Sequence, residues 1–123
     1  MANEVTYQVS LEFQNGGAVP MVRPSAKRFD LDTDSKYQFR RQIVGTSAEV
    51  LDLGDVTTPG MIIVHNCDET NFVQFGHDDT GFVAGDVKLP AGHWNMFHMN
   101  QVAPYVKADT ADVEIEYLLL EAE

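Results

Sequence analysis

The sequence lacks the features that mark several common classes of protein. It has a single cysteine, Cys67, so an internal disulfide and a multi-cysteine zinc site are both excluded. No run of apolar residues approaches the roughly 18 that a membrane-spanning helix needs. The N-terminal stretch MANEVTYQVS has neither the basic start nor the apolar centre of a signal peptide. We therefore expect a protein that is made and kept in the cytoplasm.

Basic residues are also scarce, and they are unevenly distributed. The chain has eight lysines and arginines against 19 acidic residues, which gives a formal net charge of −11. Because an acidic surface repels phosphate groups, we expect neither nucleic acid nor an anionic membrane as a partner.

Most of the basic residues are concentrated in one part of the chain, between positions 23 and 41. We predict that they form a docking element for an acidic partner, although a solvated charged loop would have the same composition. This predicted basic segment consists of Arg23, Lys27, Arg28, Lys36, Arg40 and Arg41.

The pattern that is present throughout the chain is that of short strands. Apolar and polar residues alternate without interruption over residues 4–13, and within residues 111–120 Val113, Ile115, Tyr117 and Leu119 alternate with Glu114 and Glu116. A period of two is typical of a strand with one buried face. No stretch has a helical period, and turn signals separate about eight to ten strands. The sequence thus predicts an all-β fold, an antiparallel, jelly-roll-like β-sandwich that forms a single domain over residues 1–123.

Several local predictions follow from residue type. A strand is predicted over Tyr37–Val44, with Tyr37, Phe39 and Ile43 on one face, which Arg41 interrupts. Pro59-Gly60 is predicted as a turn, and residues 18–35, with two prolines, as an extended or edge segment. The other predicted strands cover residues 48–53, 61–64, 71–75, 83–89, 94–99 and 105–108. The aromatic residues predicted to lie in the core are Phe72, Phe75, Phe82, Trp94 and Phe97.

The histidines raise the question of a metal site. The residues concerned are His65, Cys67, Glu69, His93 and His98. Their order partly resembles the two metal-binding motifs of the cupins, with Cys67 in place of a histidine. His65 and Cys67 would point to the same side of a strand, whereas His93 and His98 would point to opposite sides. Because these spacings depart from the cupin pattern, we predict no metal and no cofactor, and a cupin-like metalloprotein remains an alternative.

Motifs for catalysis are not found either. The sequence contains no Gly-x-Ser-x-Gly elbow, no glycine-rich phosphate loop and no defined pair of catalytic carboxylates. A lone cysteine is commonly a small apolar residue without a chemical role. We therefore predict that the protein is not an enzyme and that it has no catalytic residue.

A family resemblance extends over residues 52–121. It is carried by turn and strand patterns in residues 54–60, 68–76, 89–94 and 107–113, and by the closing strand. In these segments the chain resembles a group of small structural proteins of tailed-bacteriophage virions. The resemblance implies a non-enzymatic β-sandwich protein, either a capsid decoration (cement) protein or a tail-associated module.

The resemblance also implies a location and partners. A decoration protein binds and stabilises the capsid shell, so the expected partners are the major capsid protein or other virion proteins. We expect a homo-oligomer that is made in the host cytoplasm and located in the virion. The alternative is a tail- or fibre-associated binding module, which could bind carbohydrate through an exposed aromatic residue such as Trp94.

Overall fold

The chain folds into antiparallel β-sheets. The computed structural model describes residues 3–14, 16–17, 21–31, 35–77 and 87–122. Within these ranges every paired strand is antiparallel and no residue is helical, so none of them belongs to a helix able to span a membrane. The contacts divide the chain into two compact units, which we call the N-terminal unit (Met1–Asp34, with Glu123) and the sandwich unit (Ser35–Ala122). The prediction of an all-β fold is confirmed.

The described residues form twelve strands. The N-terminal unit contains β1 (Asn3–Tyr7), β2 (Leu11–Glu12), β3 (Met21–Val22) and β4 (Lys27–Leu31). The sandwich unit contains β5 (Tyr37–Val44), β6 (Glu49–Val50), β7 (Pro59–Asn66), β8 (Val73–Gly76), β9 (Val87–Leu89), β10 (Trp94–His98), β11 (Tyr105–Ala108) and β12 (Val113–Glu121).

The strand order of the sandwich unit is that of a jelly roll. One four-stranded sheet has the order β10-β7-β12-β5, and the other has the order β6-β11-β8-β9. The first strand of the unit therefore pairs with the last, the second with the seventh, the third with the sixth and the fourth with the fifth. This nested pairing over eight strands is the arrangement that double-sheet jelly rolls share.

The core of the sandwich lies between the two sheets and follows from strand alternation. In β12, Val113, Ile115 and Leu119 are fully buried, while the glutamates between them point out of the sandwich. In β7, Ile62 and Val64 are fully buried on the same side. The facing sheet contributes mainly branched and aromatic residues to the same cluster, among them Val73, Phe75, Leu89 and Val106.

One buried polar side chain connects the two sheets. The side-chain amide of Asn66, at the end of β7, donates to the carbonyls of Asn71 (3.0 Å) and Leu89 (3.1 Å), and Leu89 belongs to the facing sheet. The side-chain oxygen Oδ1 of Asn66 accepts a hydrogen bond from the backbone N–H of Asp68 at 2.9 Å. Because Asn66 is completely buried, these bonds replace the water that its amide would otherwise bind.

The N-terminal unit consists of two small two-stranded sheets. β1 pairs with β4, and β2 pairs with β3. The rings of Tyr7 and Phe29 meet edge to face at 6.2 Å, and Arg28 lies 3.7 Å from Glu4. Five apolar side chains of this unit are about half exposed or more, namely Val9, Leu11, Phe13, Met21 and Val22.

Some boundaries differ from those predicted. The strand predicted over residues 4–13 is interrupted at residues 8–10, which produces β1 and β2. The predicted extended segment 18–35 contains the short strands β3 and β4, so the described strands exceed the eight to ten expected. Of the strand predicted over residues 83–89, the first four residues lie outside the described ranges, as does Phe82. The single domain predicted for residues 1–123 stays a prediction, and the sandwich itself lies within Ser35–Ala122.

The predicted turn at Pro59-Gly60 is wrong. Pro59 is the first residue of β7, a position where proline is tolerated in a sheet. Gly60 lies against the backbone of Ala122, and a Cβ at this position would be 2.6 Å from the Ala122 Cα. The glycine is thus required by close packing of two backbone segments and not by a turn.

Candidate interaction face

The candidate site is the outer face of the β10-β7-β12-β5 sheet, which we call the outer face. The strand registers place four residues of this face in a row: Trp94 of β10 lies opposite His65, His65 opposite Glu116, and Glu116 opposite Arg41. The adjacent row, two residues further along each strand, consists of Met96, Ile63, Leu118 and Phe39. A polar row and an apolar row therefore lie side by side on one sheet surface.

The orientation of β5 makes the outer face apolar. Tyr37, Phe39 and Ile43 share one face of this strand, as predicted, but that face points away from the sandwich, and the three side chains are 64%, 74% and 65% exposed. The polar residues that alternate with them point inward. The usual distribution of apolar and polar residues on a sandwich strand is thus inverted in β5.

The inward polar residues of β5 explain this inversion. The Gln38 side chain donates to Asp55 at 3.1 Å, and the Gln42 side chain donates to Glu49 at 3.0 Å. Arg40 forms an ion pair with Asp52. The inner side of this edge strand therefore packs on the polar segment that follows it, and the apolar side chains are left on the outside.

The hydroxyl of Tyr117, on the neighbouring strand β12, contacts the same polar segment that follows β5. Tyr117 is buried, and its hydroxyl donates to the backbone carbonyl of Asp52. Burial, together with the negative charge of the Asp52 side chain, raises the pKa of the Tyr117 hydroxyl to about 12. The hydroxyl is thus neutral at physiological pH and acts as a structural donor.

The apolar row borders an open groove of about 450 Å³. The groove is lined by Phe39, Ile63, Trp94 and Leu118, with the charged side chains of Arg41 and Glu116 at its polar end. Trp94, predicted as a core residue, is 59% exposed here, so that prediction is wrong. The reason is the register of β10, which places Trp94 on the outer face opposite His65. Phe75, by contrast, is buried as predicted.

The polar row is a connected network. Arg41 donates to Glu114 at 2.7 Å and to Glu116 at 3.0 Å. The hydrogen bond to Glu114, and then the negative charges of Glu116 and Glu114, raise the pKa of the Arg41 guanidinium. The other carboxylate oxygen of Glu116 lies 3.1 Å from His65 Nδ1, and the His65 ring stacks on Trp94 with centroids 4.4 Å apart.

Cys67 lies at the end of this network. Its Sγ is 3.6 Å from His65 Nδ1, which confirms that the two side chains point to the same side. Burial, and secondarily the charge of Glu116, raises the pKa of the Cys67 thiol. Glu69, His93 and His98, the other residues of the partial cupin pattern, are exposed. Of the described residues, only His65, Cys67 and Glu116 form a group with ligand atoms close enough to share a metal ion.

The residues of the predicted basic segment do not share one surface of the sandwich unit. Arg40 and Arg41 are consecutive in β5 and point to opposite faces, and each is paired with acidic residues of the same unit. The backbone N–H of Lys36 donates to the Glu121 carboxylate at 2.9 Å. Arg23, Lys27 and Arg28 belong to the N-terminal unit. A docking role for these residues stays a prediction.

Sequence reasoning missed most of the outer face. Glu116 is distant in sequence from His65, and its position depends on the register between β12 and β7, which no local pattern encodes. One signal was available: the residues between Tyr37, Phe39 and Ile43 are glutamine and arginine, which need hydrogen-bond partners wherever they point. Alternation alone would also have separated Arg40 from Arg41.

Comparisons with protein-family models, curated proteins and solved structures find no significant match to this chain. A proposal about function therefore has to be argued from the sequence, the fold and the outer face.

Proposed function

We propose that this protein is a non-enzymatic structural protein of a bacteriophage virion, a decoration protein that binds the capsid shell through its outer face. The observation that carries the proposal is the inversion of β5. Gln38, Arg40 and Gln42 are turned inward to hydrogen-bonded partners, while Phe39 and its neighbours are left in water. Large apolar side chains grouped on one surface mark a site of protein association.

The composition of the outer face supports a protein as its occupant. Protein interfaces are enriched in tyrosine, tryptophan, phenylalanine, methionine and arginine. All five residue types are present on the outer face, as Tyr37, Trp94, Phe39, Met96 and Arg41. A sheet also holds these side chains on a rigid surface, so little conformational entropy is lost when they are covered. We propose the capsid shell as the occupant because we interpret the turn and strand patterns of residues 52–121 as a resemblance to virion proteins.

The first experiment is mass spectrometry of purified virions. A decoration protein is expected at a fixed and high copy number relative to the major capsid protein, because it covers equivalent positions of a lattice. A tail protein is expected at a few copies per particle. Absence of the chain from particles would contradict both.

The second experiment measures binding to shells stripped of this protein. We expect Phe39→Gln to weaken binding at least about tenfold, since residues that anchor an interface dominate its affinity. Val102→Gln is the matched control, because Val102 is 73% exposed and Phe39 is 74% exposed. Equal affinity of the two variants would argue against the outer face as the docking surface.

The basic segment can be tested in the same assay. Arg23→Glu, Lys27→Glu and Arg28→Glu together reverse the charge at the three basic positions of the N-terminal unit without touching the ion pairs of Arg40 and Arg41. If this segment meets an acidic neighbour, binding of the wild type weakens with salt and binding of the variant does so less steeply. Identical salt dependence would mean that the segment is a solvated surface.

A carbohydrate-binding module of a tail or fibre is the second candidate, and exposed Trp94 favours it. One face of its ring stacks on His65, and the residue is 59% exposed beside the groove. In this case Trp94→Ala would abolish binding to glycans of the host surface, and the wild-type chain would not bind stripped capsid shells.

A further inference from the structure

Three metal-binding side chains converge at one end of the groove. His65 belongs to β7, Cys67 follows the same strand two residues later, and Glu116 lies opposite His65 on β12. Alternation puts His65 and Cys67 on the same side, and the strand register puts the Glu116 carboxylate beside them. Each of the three ligand atoms lies within 4.8 Å of the other two.

Two of the three separations suit a small tetrahedral ion. His65 Nδ1 is 3.1 Å from Glu116 Oε1 and 3.6 Å from Cys67 Sγ. Zinc bonds of about 2.0–2.3 Å in a tetrahedron place neighbouring ligand atoms roughly 3.3–3.8 Å apart. The two separations from His65 are thus already close to those of a zinc site, and the third, between Cys67 Sγ and the Glu116 carboxylate, is within 4.8 Å. A bound ion would replace the direct hydrogen bond between His65 and Glu116.

We propose that His65, Cys67 and Glu116 bind one divalent transition-metal ion on the outer face, and that zinc is the ion of best fit. A thiolate and an imidazole favour zinc over calcium or magnesium, which take oxygen ligands. Three protein ligands leave a fourth tetrahedral position for water or for a group of a bound partner. The site does not depend on capsid binding, so the two proposals succeed or fail separately.

The surroundings orient each of the three ligands. Arg41 donates to the second carboxylate oxygen of Glu116 at 3.0 Å, which leaves Oε1 directed at His65. Trp94 stacks on the His65 ring with an interplanar angle of 10° and restricts its rotation. The backbone N–H of Cys67 donates to the Glu114 carbonyl at 2.9 Å and fixes the chain where the thiol is attached. Such supporting contacts are characteristic of metal centres, where they set ligand orientation.

This proposal departs from the prediction of no metal, and its site differs from the partial cupin pattern in the sequence. The partial cupin motif combines His65 and Cys67 with Glu69, His93 and His98. The last three residues are exposed. In the fold the third ligand comes from the last strand, and the site lies outside the sandwich. The difference supplies control residues for the experiment.

The test is titration of the reduced full-length chain with Zn²⁺ by calorimetry and with Co²⁺ by absorption spectroscopy. We expect one equivalent of each ion to bind, and the Co²⁺ spectrum to contain a thiolate charge-transfer band. Cys67→Ser, His65→Gln and Glu116→Gln should each weaken binding at least about tenfold, and Cys67→Ser should abolish the band. Circular dichroism of every variant establishes that the fold is retained.

The controls are His93→Gln and Glu69→Gln, which remove a possible ligand at an exposed position and should leave affinity within about threefold of wild type. Failure of the wild type to bind either ion overturns the proposal. It is also overturned if Cys67→Ser retains wild-type affinity, or if a control substitution weakens binding as much as His65→Gln does.

Discussion

The N-terminal unit and the sandwich unit have the same alternating sequence pattern but bury its apolar residues to different extents. In both, apolar and polar residues alternate along the sequence. In β12 the apolar residues of the pattern are buried to 3% exposure or less. Of the pattern over residues 4–13, Val5 and Tyr7 are half-buried, and Val9, Leu11 and Phe13 are 48%, 62% and 51% exposed. The sandwich has a second sheet to cover its apolar face, while the N-terminal unit consists of two-stranded sheets, which are marginally stable by themselves.

The difference shows what alternation does and does not encode. A period of two determines which side chains share a face of a strand. Whether that face is covered depends on a second layer, which comes from elsewhere in the chain or from a partner. β5 is an example within the sandwich unit. Its apolar side chains share one face, as predicted, but no second layer among the described residues of this unit covers that face, and it is exposed.

The largest effect on stability is expected when one leucine side chain is truncated in each unit, which compares the buried pattern with the exposed one. Leu119 is fully buried and Leu11 is 62% exposed. We expect Leu119→Ala to lower the free energy of unfolding by about 2–5 kcal/mol through the cavity it leaves. Leu11→Ala should change it by less than about 0.5 kcal/mol. Urea denaturation measures both, and comparable losses would mean that the N-terminal unit contributes a core of its own.

The buried amide that connects the two sheets is expected to have the next largest effect. Asn66→Ala removes two donated bonds and one accepted bond, and it leaves the carbonyls of Asn71 and Leu89 without this partner. We expect a loss of roughly 1–3 kcal/mol in unfolding free energy. Asn100→Ala, at an exposed loop position, is the control and should be nearly neutral.

A smaller, pH-dependent effect is expected at Glu121. The backbone N–H of Lys36, and then the hydroxyl and N–H of Thr57, lower the pKa of this carboxyl from 4.5 to about 2. The ionised form is thus favoured by folding, and its stabilising effect is present above about pH 4.5 and is lost as the pH falls towards about 2. Glu121→Gln should lose less stability than the wild type over this range in urea denaturation.

Glu4→Gln in the N-terminal unit is the control for this measurement. Glu4 faces Arg28 at 3.7 Å, and both side chains are well exposed, so the pair should contribute almost nothing. The interpretation fails if the Glu121→Gln variant and the wild type lose stability in parallel.

The smallest effect is expected from removing the N-terminal unit altogether. A chain that begins at Ser35 retains every strand of both four-stranded sheets. We expect it to unfold cooperatively with nearly the midpoint of the full chain, measured by circular dichroism during urea denaturation. A molten or unfolded product would show that the sandwich needs residues 1–34.

The parts of the fold that were predictable are those with local signals. Tyr37–Val44 and Tyr105–Ala108 have the predicted bounds, because alternation and flanking turn residues both mark them. Pro59-Gly60 was misread because a glycine packed against a backbone and a glycine in a turn look alike in sequence. Trp94 was misread because an aromatic residue is compatible with either face of a strand.

The candidate site was less predictable than the fold because it depends on strand register. The common orientation of His65 and Cys67 follows from their spacing. The approach of Glu116 requires β12 to pair with β7 in one register, and a shift by one residue would turn its carboxylate into the core. Register between strands so far apart is set by the packing of the whole sandwich.

The position of β12 has a consequence for how the protein is made. This last strand lies between β7 and β5, so the sheet of the outer face cannot close until residue 121 has left the ribosome. Pairings between distant strands are also slow to form, because a long loop must be ordered before any contact stabilises it. During synthesis β5 and β7 are exposed with unpaired edges, which makes this interval the period of greatest risk of aggregation. Any fusion or truncation that delays or removes the C-terminal strand is therefore expected to reduce the yield of folded protein far more than a change at the N-terminus.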